Sequence, residues 1–125
     1  METPPPGFKP LESESPFIQR SGRFFMRTEG TPTLGTFIDA VQADADGFAD
    51  RAFLLTFADF ALTDVTQGIT LKVSADVLGR ARLGDWVEAA VLIRSSADRL
   101  IFADAILTAG GAPVLRVHGM FRPVL

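Results

Sequence analysis

One carboxylate stands where the chain leaves it least water. Asp59 lies inside Ala52 to Leu62, AFLLTFADFAL, a run that is otherwise almost wholly apolar. Wound as a helix, the run puts Phe53, Leu54, Phe57, Ala58, Ala61 and Leu62 on one broad stripe, with Leu55 and Phe60 widening the apolar surface on both sides. Only a narrow strip with Thr56, Asp59 and Thr63 stays polar. A carboxylate held there must be hydrogen-bonded, raised in pKa, or used for chemistry as a base or nucleophile. The bland alternative is an acid satisfied by Thr56 or Thr63, or by a backbone amide across an interface between copies.

Few other residues compete for a chemical role. The chain has no cysteine, which excludes disulfides and thiolate chemistry, and its single histidine, His118, leaves any metal site to carboxylates, for which no spacing stands out. His118 alternates with Arg116 and Met120 on a strand pattern and reads as a structural or rim residue. Trp86 opens a strand and reads as core or edge packing. Eleven phenylalanines and no tyrosine mark the aromatic surface as one for burial, shared with an apolar pocket if there is one.

The elements that must position Asp59 belong to one domain, since 125 residues suffice for one core and not for two. Hydrophobic residues make up 47% and charged residues 22%, with mean hydropathy +0.24, a globular composition. A net charge of −3 and a pI near 5.0 disfavour nucleic acid, which calls for a clustered basic surface. No apolar run is long enough for a membrane span and the N-terminus has no leader pattern, so the expected compartment is the cytoplasm.

Residues 1–16, rich in Pro, Glu and Ser, read as a flexible arm, and residues 17–125 as the domain. Phe24 to Arg27 and Leu34 to Ala43 read as a strand hairpin. Asp44, Asp46, Gly47 and Asp50 form a loop in which Asp50 or Asp46 caps the helix, and Gly68 is the expected stop. Ile69 to Val77 alternates, with Ile69, Leu71, Val73, Ala75 and Val77 on one buried side. Strands from Trp86 to Arg94, Leu100 to Thr108 and Val114 to Phe121 complete a four-strand meander, with Gly110-Gly111 as a tight hairpin. A hairpin, one long helix and four strands predict an α+β fold in which a curled antiparallel β-sheet wraps one central helix. Its free edges and unused face predict a homo-oligomer, at least a dimer.

AFLLTFADFAL, the strand with Ser74-Ala75-Asp76-Val77-Leu78, the following Arg80-Ala81-Arg82-Leu83-Gly84-Asp85 and the terminal Gly119-Met120-Phe121-Arg122-Pro123 together resemble the hotdog-fold thioesterases, in particular the phenylacetate-degradation type of acyl-CoA thioesterase. The likeness runs from about Pro16 to the C-terminus. It implies a hotdog fold, hydrolysis of a small or medium acyl thioester with no cofactor beyond the coenzyme A of the substrate, and a dimer or tetramer. In that family the helix commonly opens with a His-Gly-Gly triplet nine residues ahead of the acid. Counting back from Asp59 places it at Asp50, Arg51 and Ala52, so the triplet is missing.

What the resemblance implies for single residues is then as follows. Asp59 acts as general base on water or attacks the thioester, and the Arg51 amide takes the place of the glycine N–H that polarises the carbonyl at the positive end of the helix. Thr70 supplies the polar partner at the start of the next strand. Asp44 falls near a position where relatives place an asparagine, and a second carboxylate there would raise one of the two pKa values. Arg80, Arg82 and Lys72 are the candidates for the phosphates of coenzyme A, or else ordinary surface charges. Two alternatives stand beside the thioesterase: a catalytically silent hotdog protein that binds an acyl ligand or serves assembly, favoured by loss of the triplet, and a dehydratase or hydratase, which would want a histidine near the helix.

Overall fold

The computed structural model describes residues 2–124. Its long helix, α2 (Arg51–Thr66), packs into the concave side of a seven-stranded antiparallel sheet. The strands are β1 (Lys9–Leu11), β2 (Phe24–Arg27), β3 (Thr33–Phe37), β4 (Gly68–Val77), β5 (Trp86–Ala97), β6 (Leu100–Ala109) and β7 (Ala112–Pro123), in the order β1-β2-β3-β5-β6-β7-β4. A short helix, α1 (Pro16–Ser21), precedes β2. This is the expected hotdog architecture.

The apolar stripe of α2 forms the core as its spacing predicts: Phe53, Leu54, Phe57, Ala58, Phe60, Ala61 and Leu62 are buried. Phe57 stacks on Phe53 and on Phe24 of β2, and Leu34, Val87, Leu107, Val117 and Phe121 close the sheet side. Burying a Val, Leu, Ile or Phe side chain contributes about 1.5–3 kcal/mol, and sixteen of these with seven alanines make one continuous core. The Asp50 carboxylate caps the helix by accepting the Ala52 N–H at 2.8 Å. The stop differs from expectation. Gln67, not Gly68, takes the left-handed turn (φ 53), its side chain donating to the Asp64 carbonyl at 2.6 Å, while Gly68 already begins β4, held close to Phe121.

Four further expectations are corrected. Residues 9–11 are not a loose arm: they pair with β2, and the neighbouring Phe8 is buried edge-on against Trp86, beneath the Arg27 guanidinium. Three residues are too few for a periodic signal. The strand expected from Leu34 to Ala43 ends at Phe37, because Gln42 folds back into a 3-10 turn over Ala40–Gln42, accepting the Asp39 N–H at 2.7 Å and donating to the Ser21 carbonyl at 2.8 Å. The four late strands are not one meander. Only β5-β6-β7 is, since α2 carries the chain across the sheet and lays β4 against β7.

The fourth concerns β4, whose apolar residues share no single buried side: the bulge between Thr70 and Lys72 sets Ile69, opposite Arg122, on the other face from Val73 and Val77. Ile69, Leu71, Val73 and Val77 are 40–56% exposed, because β4 is the outer strand and α2 covers only its start. Gly110-Gly111 turns β6 into β7 with φ 59 and 83, the doubly positive turn that two glycines favour.

Candidate active site

Asp59 sits half-buried in the third turn of α2, on the flank of the helix next to the start of β4. Neither helix threonine serves it. Thr56 donates to the Ala52 carbonyl and Thr63 to those of Asp59 and Phe60, the usual fate of hydroxyls within a helix. The partner is Thr70, whose Oγ1 donates to Asp59 Oδ1 at 2.6 Å. Thr70 is held there by the register of β4, opposite buried Phe121, and a bulge between Thr70 and Lys72 turns the strand after it. A short hydroxyl-to-carboxylate bond fixes one oxygen of the acid and leaves the other for a reacting atom.

Asp59 lines an open cleft of about 670 Å³ between α2 and the segment around α1, with Leu55, Thr56, Phe60, Thr63 and Asp64 on the helix side and Ser13, Ser15, Phe17 and Ile18 opposite. Phe17 and Ile18 read in the sequence as a short helical turn before Gly22, and α1 is that turn; its role as a wall of the cleft was not legible, and Ser15 caps it by accepting the Ile18 N–H. Asp64 was also missed. Its partial burial pushes its carboxyl above the ordinary value.

Arg51 belongs to a different place. It is the first residue of α2, and eight residues at ~1.5 Å each put its amide some 12 Å along the helix from Asp59. Its N–H has no hydrogen-bond partner among the described residues, because the Asp50 carboxylate takes the next amide. That end of the helix opens into a second cleft, of about 630 Å³, bounded by Asp44, Phe48, Leu54, Val77, Leu78 and Arg80. Thus the amide and the acid do not face one space within a single chain.

The remaining candidates divide the same way. Asp44 is an exposed loop acid that accepts the Asp46 and Phe48 amides at 2.9 and 3.1 Å, so its carboxyl is held below the ordinary value, not raised by a second acid. Arg80 and Arg82 come together over the Phe48 ring, at 4.5 and 5.4 Å from its centre, and Arg80 and Phe48 line the Arg51 cleft. Lys72 does not join them. It lies on the exposed edge strand five residues before Val77, about 16 Å away along the chain.

His118, for which no partner was expected, has one. Its Nδ1 is 2.9 Å from Oδ1 of Asp104, whose other oxygen takes Arg94 Nε, on the outer face of the sheet away from α2. The register that pairs Asp104 with His118 is the signal that periodicity alone does not supply.

Comparison with known proteins places this geometry. No protein-family model matches the chain. A Pseudomonas aeruginosa protein carrying the name "Putative esterase PA0474" is 30% identical over 128 aligned positions, covering 94% of this chain and 96% of the relative. Among solved structures, the phenylacetic acid degradation protein PaaI of Thermus thermophilus superposes with a TM-score of 0.76 at 22% identity, over 88% of this chain and 100% of that one. A hypothetical thioesterase of Streptococcus pneumoniae, solved with coenzyme A, superposes at 0.73 and 16% identity, over 94% and 95%. These likenesses carry the fold, and the near full-length identity to the Pseudomonas relative carries the kinship: the chain belongs to the hotdog-fold thioesterase superfamily.

Proposed function

We propose that the protein hydrolyses small or medium acyl-CoA thioesters, in sites shared between two copies of the chain. The single observation that carries this reading is the half-buried Asp59 carboxylate, with one oxygen on Thr70 and an open cleft beside it. In the reaction, Asp59 takes a proton from water as the water oxygen bonds to the thioester carbon. The carbonyl oxygen becomes an oxyanion, and its collapse breaks the carbon–sulfur bond as the proton held by Asp59 passes to the departing sulfur, releasing acid and thiol. Alternatively Asp59 adds directly and water cleaves the resulting anhydride. Neither route requires a cofactor.

An oxyanion needs a donor, and the free Arg51 N–H at the positive end of α2 suits it. Because that amide lies some 12 Å from Asp59 in its own chain, the donor that completes a site comes from the second copy. The open β4 edge and the exposed Val73 and Val77 beside it supply the pairing surface, one β4 against the other about a two-fold axis. Arg80 and Arg82, fanned over Phe48 at the mouth of the Arg51 cleft, would meet the phosphates of coenzyme A, a substrate that the coenzyme A complex of the pneumococcal neighbour brings into consideration. The cytoplasm, where such thioesters are made, is the compartment that goes with this reading. No helix among the described residues is long and apolar enough to cross a membrane.

A second reading, a silent hotdog protein that binds an acyl ligand, draws on the Arg51 side chain standing where the family's glycine would leave room. Thiol release from a panel of acyl-CoA esters decides between them. Turnover that vanishes in Asp59→Ala supports hydrolysis, and binding without turnover in the parent chain selects the silent alternative.

A further inference from the structure

We infer that the Asp59 cleft is built to accept an uncharged, apolar acyl group and to reject one that ends in a carboxylate, with α1 as its selective wall. The inference rests on the hydrolase reading of Asp59 and names the substrate class of that site. Two features of the lining carry it. The first is charge: Asp59 and Asp64 both line the cleft, and among the described residues of the same chain no Lys, Arg or His lines it. A third carboxylate carried at the far end of an acyl chain, away from the second copy's Arg51 at the carbonyl end, would meet two acids and no cation from the cleft's own walls, an arrangement that selects against it. Burial already disfavours the charged form of Asp64, so that part of the cleft solvates anions poorly.

The second feature is the apolar wall. Phe17 and Ile18 of α1 stand across from Leu55 and Phe60 of α2, and Phe17 keeps 59% of its surface exposed, an aromatic ring with an unfilled side. The wall is pinned, not loose. Ser15 caps α1, Gln19 Nε2 donates to the Ser13 carbonyl at 2.7 Å, and Ile18 packs against the main core. An alkyl or aryl group lying against Phe17 and Leu55 therefore gains burial without ordering new chain.

Hexanoyl-CoA and adipoyl-CoA have the same chain length and differ by the terminal carboxylate, so they isolate the effect. The expected result is a kcat/KM at least about ten-fold higher for hexanoyl-CoA, a ratio that Asp64→Asn narrows several-fold by improving the adipoyl ester alone. Phe17→Ala is expected to raise KM for hexanoyl-CoA and leave kcat in place, as loss of uniform binding does. Equal turnover of the two esters, or a ratio unmoved by Asp64→Asn, overturns the inference. Should the chain cleave neither ester, the role of Asp59 falls while selectivity is still measured, by calorimetric binding of the non-hydrolysable hexyl-CoA thioether against its ω-carboxylated counterpart. Tighter binding of the uncharged thioether then upholds the cleft assignment, and equal affinity refutes it.

Discussion

Thr70 and Asp59 are bonded across the junction of helix and sheet, Oγ1 to Oδ1 at 2.6 Å, eleven residues apart in sequence. The pair ties the acid to the strand that leaves the helix, so the carboxylate is aimed by tertiary structure and not by α2 alone. Replacing Asp59 with Ala is expected to lower thioester turnover by about 10²–10⁴-fold, the range of a lost general base, with unchanged far-UV circular dichroism. Thr70→Val keeps the β-branched shape that a strand favours and removes only the hydroxyl. It should reduce kcat by roughly ten-fold with KM little altered, and Thr70→Ser should restore most of the loss. Equal damage from Val and Ser would mark Thr70 as packing and not positioning.

The separation of Arg51 from Asp59 gives a sharper test of the shared site. Proline at position 51 removes the amide proton, and the helix tolerates it there: this is the first helical position, and Asp50 before it already has the extended backbone (φ −65, ψ 137) that a following proline requires. Arg51→Pro and Asp59→Ala should each be inactive as homodimers. Mixed and re-equilibrated, half the dimers are hetero, and each of those holds one intact site of two. About a quarter of the parent activity should therefore return. No recovery would mean that acid and amide serve the same chain.

How far the sequence speaks differs between helix and sheet. Period alone locates α2 and its buried face, because every determinant is local: stripe, Asp50 cap and apolar length. It also isolates Asp59. Pairing is not local, and for that reason the placement of β4 beside β7, the Asp104–His118 contact and the short run of β3 were not legible. Helix rise separates the Arg51 amide from Asp59 of the same chain, so the sequence marks both groups but not that they would have to meet across two copies. Phe17 and Asp64 went unread as parts of a site because each looks ordinary until α1 folds onto α2.

Packing on the convex face makes a stability prediction that is independent of function. Gly35 lies directly under the Trp86 indole, where a β-carbon would run into the ring, and that ring is in turn held by Phe8, Phe25 and Phe37. Gly35→Ala should therefore cost about 1–3 kcal/mol in urea unfolding, the price of overpacking. No measurable loss at Gly35 would show that the Trp86 cluster moves freely.

Asp104 gives the pH prediction. Desolvation by the sheet raises its pKa, but the hydrogen bonds and charges of Arg94 and His118 outweigh it, and its carboxyl is held below the ordinary 3.8. A carboxylate whose pKa is depressed by folding adds stability that is present above the unfolded value and lost as pH falls through the folded one. The contribution should thus be in place at about pH 5, decline below 3.8, and vanish at lower pH. Asp104→Asn keeps the shape, leaves Arg94 without its counter-charge, and should destabilise the fold by about 1–2 kcal/mol at pH 7. Urea midpoints of parent and variant should converge as the pH is lowered from 5 toward 3. Curves that stay parallel through that window would show that the charge of Asp104 is not what holds the outer face of the sheet together.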